Sequence, residues 1–293
     1  MSKPVMTTVT ALLLLATCAF GQSTSNTAQT ADDYLSHLPK SLTLKENGPH
    51  TYLFTCDYFY LDTLGNLTRK ERVTGEYTRG LAGGKARWND VRIAAANGFE
   101  GRFPEGEPQK YMEGFTYSAD SNGMFKSEFF QGFPPAEVKA KNLVWDTVGL
   151  ENFAWNYFDK LELNSVYRTQ SQPEDVALAG AGTFQNHQIE LVWVGISKRN
   201  NRTCALIQYR AFFNKLNVSA ANMNFQGRSH YWGDIWVSLE DKQIEYATLF
   251  EDVLLEFKLP GQQTKQFINP FREATFEKIE GAGRLKQTGE RSQ

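Results

Sequence analysis

Gly227 to Leu239 reads GRSHYWGDIWVSL. Successive side chains of a β-strand point to opposite faces. Tyr231, Gly233, Ile235, Val237 and Leu239 therefore share one face, and His230, Trp232, Asp234, Trp236 and Ser238 share the other. The first set is a core face. The second departs from a solvent face, because two tryptophans flank an acid on it. The two indoles are four residues apart, about 13 Å along a strand. Such a mixed surface suits a ligand wall, a sugar platform or a second layer of packing. His230 and Asp234 also lie on one face, as a base and its orienter or two metal ligands would, or as a hydrogen-bonded polar pair on a sheet.

The strand-like run before it strengthens the reading. In Gln188 to Ser197 (QIELVWVGIS), Leu191, Trp193 and Gly195 alternate with Val192, Val194 and Ile196. Both faces are apolar, so both must be covered. Trp193 joins Trp232, Trp236, Asp234 and His230 as a candidate ligand-binding residue. Thr203 to Phe213 and Lys242 to Phe257 read as further strands, the second sharing some helical character, and Thr275 to Ile279 as a short edge. In the first half, Thr51 to Leu61 (TYLFTCDYFYL), Leu67 to Thr78, Ala86 to Ala95, Gln109 to Ser118 and Met124 to Gln131 have strand character.

One helix interrupts these strands. Leu150, Phe153, Ala154, Tyr157, Phe158 and Leu161 fall at offsets 0, 3, 4, 7, 8 and 11, one face of an α-helix. Asp146 or Thr147 supplies an N-cap, placing the helix near 147–161. Trp155 lies off that face and calls for a second packing partner. Strands, a central helix and more strands make an α+β fold, predominantly antiparallel β, with the helix packed on the sheet.

Composition narrows the function. The 293 residues carry 31 Lys+Arg against 33 Asp+Glu, a net charge of −2, so no basic field attracts nucleic acid. Aromatic residues make up 13% of the chain, which favours sheets and ligand walls. No zinc spacing, nucleophile elbow or dinucleotide fingerprint is present, so no catalytic residue, metal or cofactor is expected.

The N-terminus reads as an address. Lys3 precedes the apolar run Ala11 to Phe20 (ALLLLATCAF), and Ala19-Phe20-Gly21 offers small residues for cleavage. This predicts a signal peptide over 1–21 and an exported chain, periplasmic or extracellular. Leu15-Ala16-Thr17-Cys18 is close to a lipobox, which makes Cys18 a candidate for lipidation. A polar linker and short helix follow over 22–48, then one β-rich domain over 49–280 and a flexible tail over 281–293. The run Ala11 to Phe20 is too short to span a bilayer, and no longer apolar run follows. Cys56 and Cys204 are left to pair as one disulfide or to stay as buried thiols.

The signal peptide, the aromatic strand Thr51 to Leu61, the strands Gln188 to Ser197 and Gly227 to Phe257, and the helix Leu150 to Leu161 together resemble the periplasmic lipoprotein-carrier and lipoprotein-localisation superfamily. The resemblance is one of architecture, over most of 49–260, and no family motif is matched. It implies a curved sheet or unclosed barrel, with helices on its concave side and here the central helix packed on it. The function expected is a non-catalytic envelope protein enclosing an apolar or amphipathic ligand or lipid, with an envelope protein as a further partner. A secreted carbohydrate-binding or carbohydrate-active protein using Trp232 and Trp236 is the alternative, as is an envelope structural or assembly protein.

Overall fold

Strand β1 (His50–Leu61) shows how the sheet is built. Tyr52, Phe54, Cys56 and Tyr58 are buried, and the residues between them are half-buried. The same alternation runs through β2 (Leu67–Leu81), where Val73 and Tyr77 flank Gly75. These features come from a computed structural model, which describes residues 36, 38–39, 41–62, 64–119, 122–134, 137–169, 175–220, 223–259 and 261–279. The chain divides into two units, Met1–Leu38 and Pro39–Gln293. Every strand and helix below belongs to the second. The signal-peptide segment, Cys18, most of 22–40 and the tail over 281–293 lie outside the described residues.

The sheet is antiparallel and open. β3 (Lys85–Asn97) follows β2, then the short β4 (Glu107–Pro108) and β5 (Phe115–Ser118) pair with β3. After the helical segment come β6 (Val166–Arg168), β7 (Asp175–Ala177), β8 (Gly182–Gln185) and β9 (Ile189–Arg199). Four long strands complete it: β10 (Arg202–Ala220), β11 (Met223–Ser238), β12 (Ile244–Lys258) and β13 (Lys265–Ile279). The order is β4-β3-β2-β1-β13-β12-β11-β10-β8-β7, with β5 on β3, β9 on β10 and β6 on β9. The fold is thus α+β, a curved antiparallel sheet that does not close, with a helix on one face.

Strand β13 corrects the sequence reading. Thr275 to Ile279 was expected as a short edge, yet β13 is 15 residues long and central. It pairs with β12 on one side and β1 on the other, so it joins the two halves of the chain. Pro270 hid it, because proline demotes a run from central strand. Pro270 sits opposite Tyr60, and the β12 ladder is interrupted between the Asp252–Phe271 and Leu255–Ile268 pairs. The break absorbs the missing N–H. Met124 to Gln131 is also corrected: it forms two 3-10 turns, Asn122–Phe125 and Ser127–Phe130, rather than a strand.

The helix is displaced from its expected position. α1 covers Lys139–Glu151, continues through a π turn at Asn152–Asn156 and ends in a 3-10 turn at Phe158–Lys160. Asp146 and Thr147 are inside it, not at its cap; Val138 precedes its first turn. The amphipathic stripe was real, since Leu150, Phe153, Ala154, Phe158 and Leu161 are all buried. The start of the helix was missed because its buried face is partly polar: Ala140, Lys141, Leu143, Val144, Thr147, Leu150 and Glu151 are buried along α1. Thr147 satisfies its hydroxyl by donating to Leu143 O at 2.8 Å.

We call the side of the sheet that carries α1 the helix face, and the other the bare face. Glycine shapes the helix face at one point. A Cβ on Gly233 would meet Thr248 O at 2.0 Å and the Tyr209 hydroxyl at 2.7 Å. Its absence lets Tyr209 on β10 reach over β11 and donate to Thr248 O on β12 at 2.7 Å.

Cys56 and Cys204 are free, buried thiols. The disulfide reading is corrected by topology. Strands β13, β12 and β11 separate β1 from β10. Cys56 lies on the helix face beside Phe54 and Tyr58, while Cys204 alternates with Ala205 and Ile207 of that face and so points the other way. Burial pushes Cys56 up to about 12 and Cys204 up to about 11. Native protein at pH 8 is expected to leave both thiols unreacted with a thiol-titrating disulfide reagent for hours, and to react at both on unfolding. Two thiols missing after unfolding would mean that they had paired.

Candidate functional site

The helix face is filled and ionically pinned. Tyr52 stacks on Phe276 at 4.4 Å, Tyr77 meets Trp88 at 5.1 Å, and Phe158 meets Trp193 at 5.4 Å. Tyr52, Phe54, Tyr77, Trp88, Phe158 and Phe276 are essentially without exposure. Side chains therefore occupy the space between α1 and the sheet.

Two buried arginines tie α1 down. Arg272 on β13 holds the Asp146 carboxylate with two bonds, at 2.6 and 2.9 Å, and also donates to Glu251. Ser229 donates to the other oxygen of Glu251. Burial pushes the Asp146 carboxyl above its ordinary range even with Arg272 beside it. Burial works against the Arg272 charge, but Asp146 and Glu251 outweigh it and raise the guanidinium further. Arg79 on β2 repeats the device. It donates to Glu151 at 2.8 Å and to Glu46 at 2.6 Å, and Trp155 lies 4.4 Å from its guanidinium carbon. Tyr77 also donates to Glu151, at 2.8 Å. Trp155, which lacked a partner on the helical stripe, donates to Lys242 O at 2.7 Å.

The predicted site residues separate across the sheet. Trp193 lies on the helix face, with its indole N–H donated to Gly195 O at 2.8 Å. Trp232, Asp234, Trp236 and His230 all lie on the bare face, as the alternation predicts. His230 and Asp234 share no hydrogen bond among the described residues, so neither orients the other. Trp236 meets Tyr246 at 5.4 Å, and the Arg199 guanidinium carbon is 3.8 Å from the Tyr246 ring centre. Among the described residues, no three His, Cys, Asp or Glu side chains gather to hold a metal ion.

Trp232 is the centre of an aromatic row that sequence reading did not assemble. It meets Phe250 of β12 at 6.0 Å and Phe271 of β13 at 6.4 Å, and Phe271 meets Phe59 of β1 at 6.3 Å. Two residues earlier on the same face of β11, His230 stands between Phe212 at 5.4 Å and Phe213 at 4.9 Å. The row crosses β10, β11, β12, β13 and β1, about 19 Å at the usual strand spacing. Among the described residues its ring contacts are all with other members of the row, and α1 is on the opposite face. Phe212 and Phe213 are exposed, and the rest are half-buried.

A bulge presents the two phenylalanines. The β10–β11 register shifts between Ala211 and Asn214, and Phe213 takes φ +59°, a conformation costly for a bulky residue. Asn214 holds the bulge from within. Its side chain donates to Ala211 O at 3.2 Å and Ser229 O at 3.1 Å and accepts His187 N–H at 3.1 Å. Burial and Arg228 lower the His230 pKa, so the imidazole is uncharged at neutral pH and suits an apolar row. No sequence pattern predicts the row, because its members come from five strands and from a register that alternation alone does not fix.

No protein-family model matches the chain, and no curated protein matches it. Among solved structures it is similar to "Lipid-protein interactions in lipovitellin", with a TM-score of 0.40 and 10% identity over 82% of this chain. The match takes in 26% of that chain, so this protein spans about a quarter of its length. The fold and its surface define an open antiparallel sheet, helix-covered on one face and aromatic on the other.

Proposed function

We propose that this is an exported, non-catalytic binding protein of the cell envelope that holds an apolar or amphipathic ligand along the row from Phe213 to Phe59. The observation that carries the reading is the row itself: seven rings on the bare face, two of them raised on a strained bulge. Exposed apolar surface of this extent is costly unless a ligand or partner covers it. Strain of this kind is kept where surrounding structure over-determines it, and here Asn214 does so. The ligand lies on the sheet rather than being enclosed between sheet and helix, because the helix face is filled. A flat, Phe-rich row suits an acyl chain laid across the strands. One tryptophan among phenylalanines offers a single indole for stacking and is a poor sugar platform. The carrier resemblance and the export address belong to this same proposal.

Intrinsic fluorescence tests it. A medium-chain fatty acid or lysophospholipid is expected to shift the emission of the protein, and Trp232→Ala to abolish most of that shift. Trp232→Ala should also weaken binding of the acyl chain at least tenfold by calorimetry while leaving the fold intact. Oligosaccharides are expected to have no effect. Response to oligosaccharide without response to acyl chains would move the reading to the carbohydrate alternative.

A further inference from the structure

The two ends of the sheet differ in chemistry. At one end lie the turns after Leu81, after Arg199 and after Ser238, with sequences AGG, NN and LEDKQ. None of the large exposed apolar side chains among the described residues is there. At the other end stand four of them: Leu64 at 84% exposure, Phe99 at 75%, Phe267 at 45% and Leu259 at 36%. Leu64 occupies the β1–β2 turn, Phe99 follows β3, Leu259 starts the β12–β13 turn, and Phe267 is near the start of β13. Those strands are neighbours in the order β3-β2-β1-β13-β12. The tips therefore form a line about 19 Å long on one rim.

The two most exposed tips are each held in place, Leu64 by its own turn and Phe99 from the neighbouring strand. Asp62 accepts the N–H groups of Leu64 and Asn66 at 2.9 and 2.8 Å, and the Asn66 amide at 3.0 Å. These bonds hold the Asp62 carboxyl below its usual range. Phe99 is fixed by Lys70, whose ammonium donates to Phe99 O at 2.7 Å. A preorganised turn that points leucine or phenylalanine at water is built for contact.

Cations back the tips. Arg69 and Lys70 lie behind Leu64 and Phe99, and Lys258 and Lys265 pair across the hairpin beside Leu259. Asp62 is occupied by its turn, Glu256 pairs with Lys265 at 2.6 Å and Glu71 with Arg69 at 3.9 Å, while Lys70 and Lys258 have no acid partner among the described residues. A cleft of about 520 Å³ opens beside Leu259, with Met223 and Phe257 in its wall and Lys258 and Lys265 around it. Apolar tips separated by polar rim do not make the continuous apolar centre of a protein interface. They match a bilayer, where isolated side chains enter the interface and cations meet headgroup phosphates.

We propose that the Leu64–Phe99–Leu259–Phe267 rim docks this protein on an anionic lipid surface. The test is sedimentation of the exported chain with vesicles of phosphatidylcholine and phosphatidylglycerol in equal parts, against vesicles of phosphatidylcholine alone. The wild type is expected to bind the anionic vesicles at least tenfold more tightly and to lose that preference in high salt. Leu64→Ser with Phe99→Ser should reduce binding at least tenfold without changing the melting temperature, and Val166→Ser should leave binding unchanged. A Phe99→Trp variant carries a second readout, a blue shift of emission on anionic vesicles. No vesicle binding by the wild type, or equal binding by the double serine variant, overturns the proposal. So does a rim-dependent protein complex without vesicle binding. Trp232→Ala is expected to bind vesicles normally, and the rim variant to retain the acyl-chain response, so failure here is distinct from failure of the aromatic row.

Discussion

Replacing Arg272 by alanine is expected to destabilise the protein by about 3–5 kcal/mol, because it strands two carboxylates beneath α1. Asp146 and Glu251 both bond this one guanidinium, and all three side chains are nearly sealed from solvent. Asp146 is already pushed upward by burial with its partner present. Without Arg272 its folded pKa rises further above the unfolded value of about 3.9. A carboxyl raised on folding favours the folded state below its unfolded pKa, and that contribution is lost as pH rises through the folded pKa. The variant should therefore recover part of its stability in acid and be weakest at neutral pH. Changing the set together, Arg272→Met with Asp146→Leu and Glu251→Met, should restore a large part of the loss, since the cost comes from unpaired charge. Denaturant unfolding at pH 4.5 and pH 7 measures both effects. An Arg272→Ala chain as stable as wild type at both would show that these carboxylates find water.

Phe153→Ala is expected to cost about 3–5 kcal/mol by leaving a cavity between the helical segment and the sheet. Phe153 is buried and meets Tyr209 at 4.9 Å and Tyr231 at 6.5 Å. It sits in the π turn Asn152–Asn156 and packs on the sheet through these two rings. Asn156→Ala, three residues on and exposed, removes only a surface bond to Asn152. Its effect should stay within about 0.5 kcal/mol. Equal losses from both changes would mean that the turn does not discriminate its two sides.

The strands were legible wherever burial alternates cleanly. Thr51 to Leu61 and Gly227 to Leu239 could be read residue by residue, because a two-residue period needs no partner to be visible. Trp232 and Trp236 were correctly placed on one face opposite Ile235 and Val237. The helix was half legible. Its apolar stripe from Leu150 to Leu161 announced itself, whereas the turns from Lys139 did not, since Thr147 and Glu151 are buried through bonds to Leu143, Tyr77 and Arg79. Polar groups read as surface until their partners are known.

The sequence alone determined that the chain builds a mostly antiparallel sheet with a helix packed on it. Side-chain period and turn residues are local quantities, and they sufficed. Tertiary structure decided which strands meet. Only the β1–β13 pairing brings Phe59 to Phe271, and only the β11–β12 register brings Trp232 to Phe250. It also decided that Trp193 and Trp232 face opposite ways, that Cys56 and Cys204 stay apart, and that Leu64, Phe99 and Leu259 share one rim. These relations depend on pairing between residues far apart in the chain. That pairing is set by the free energy of the whole sheet, and no short stretch of sequence carries it.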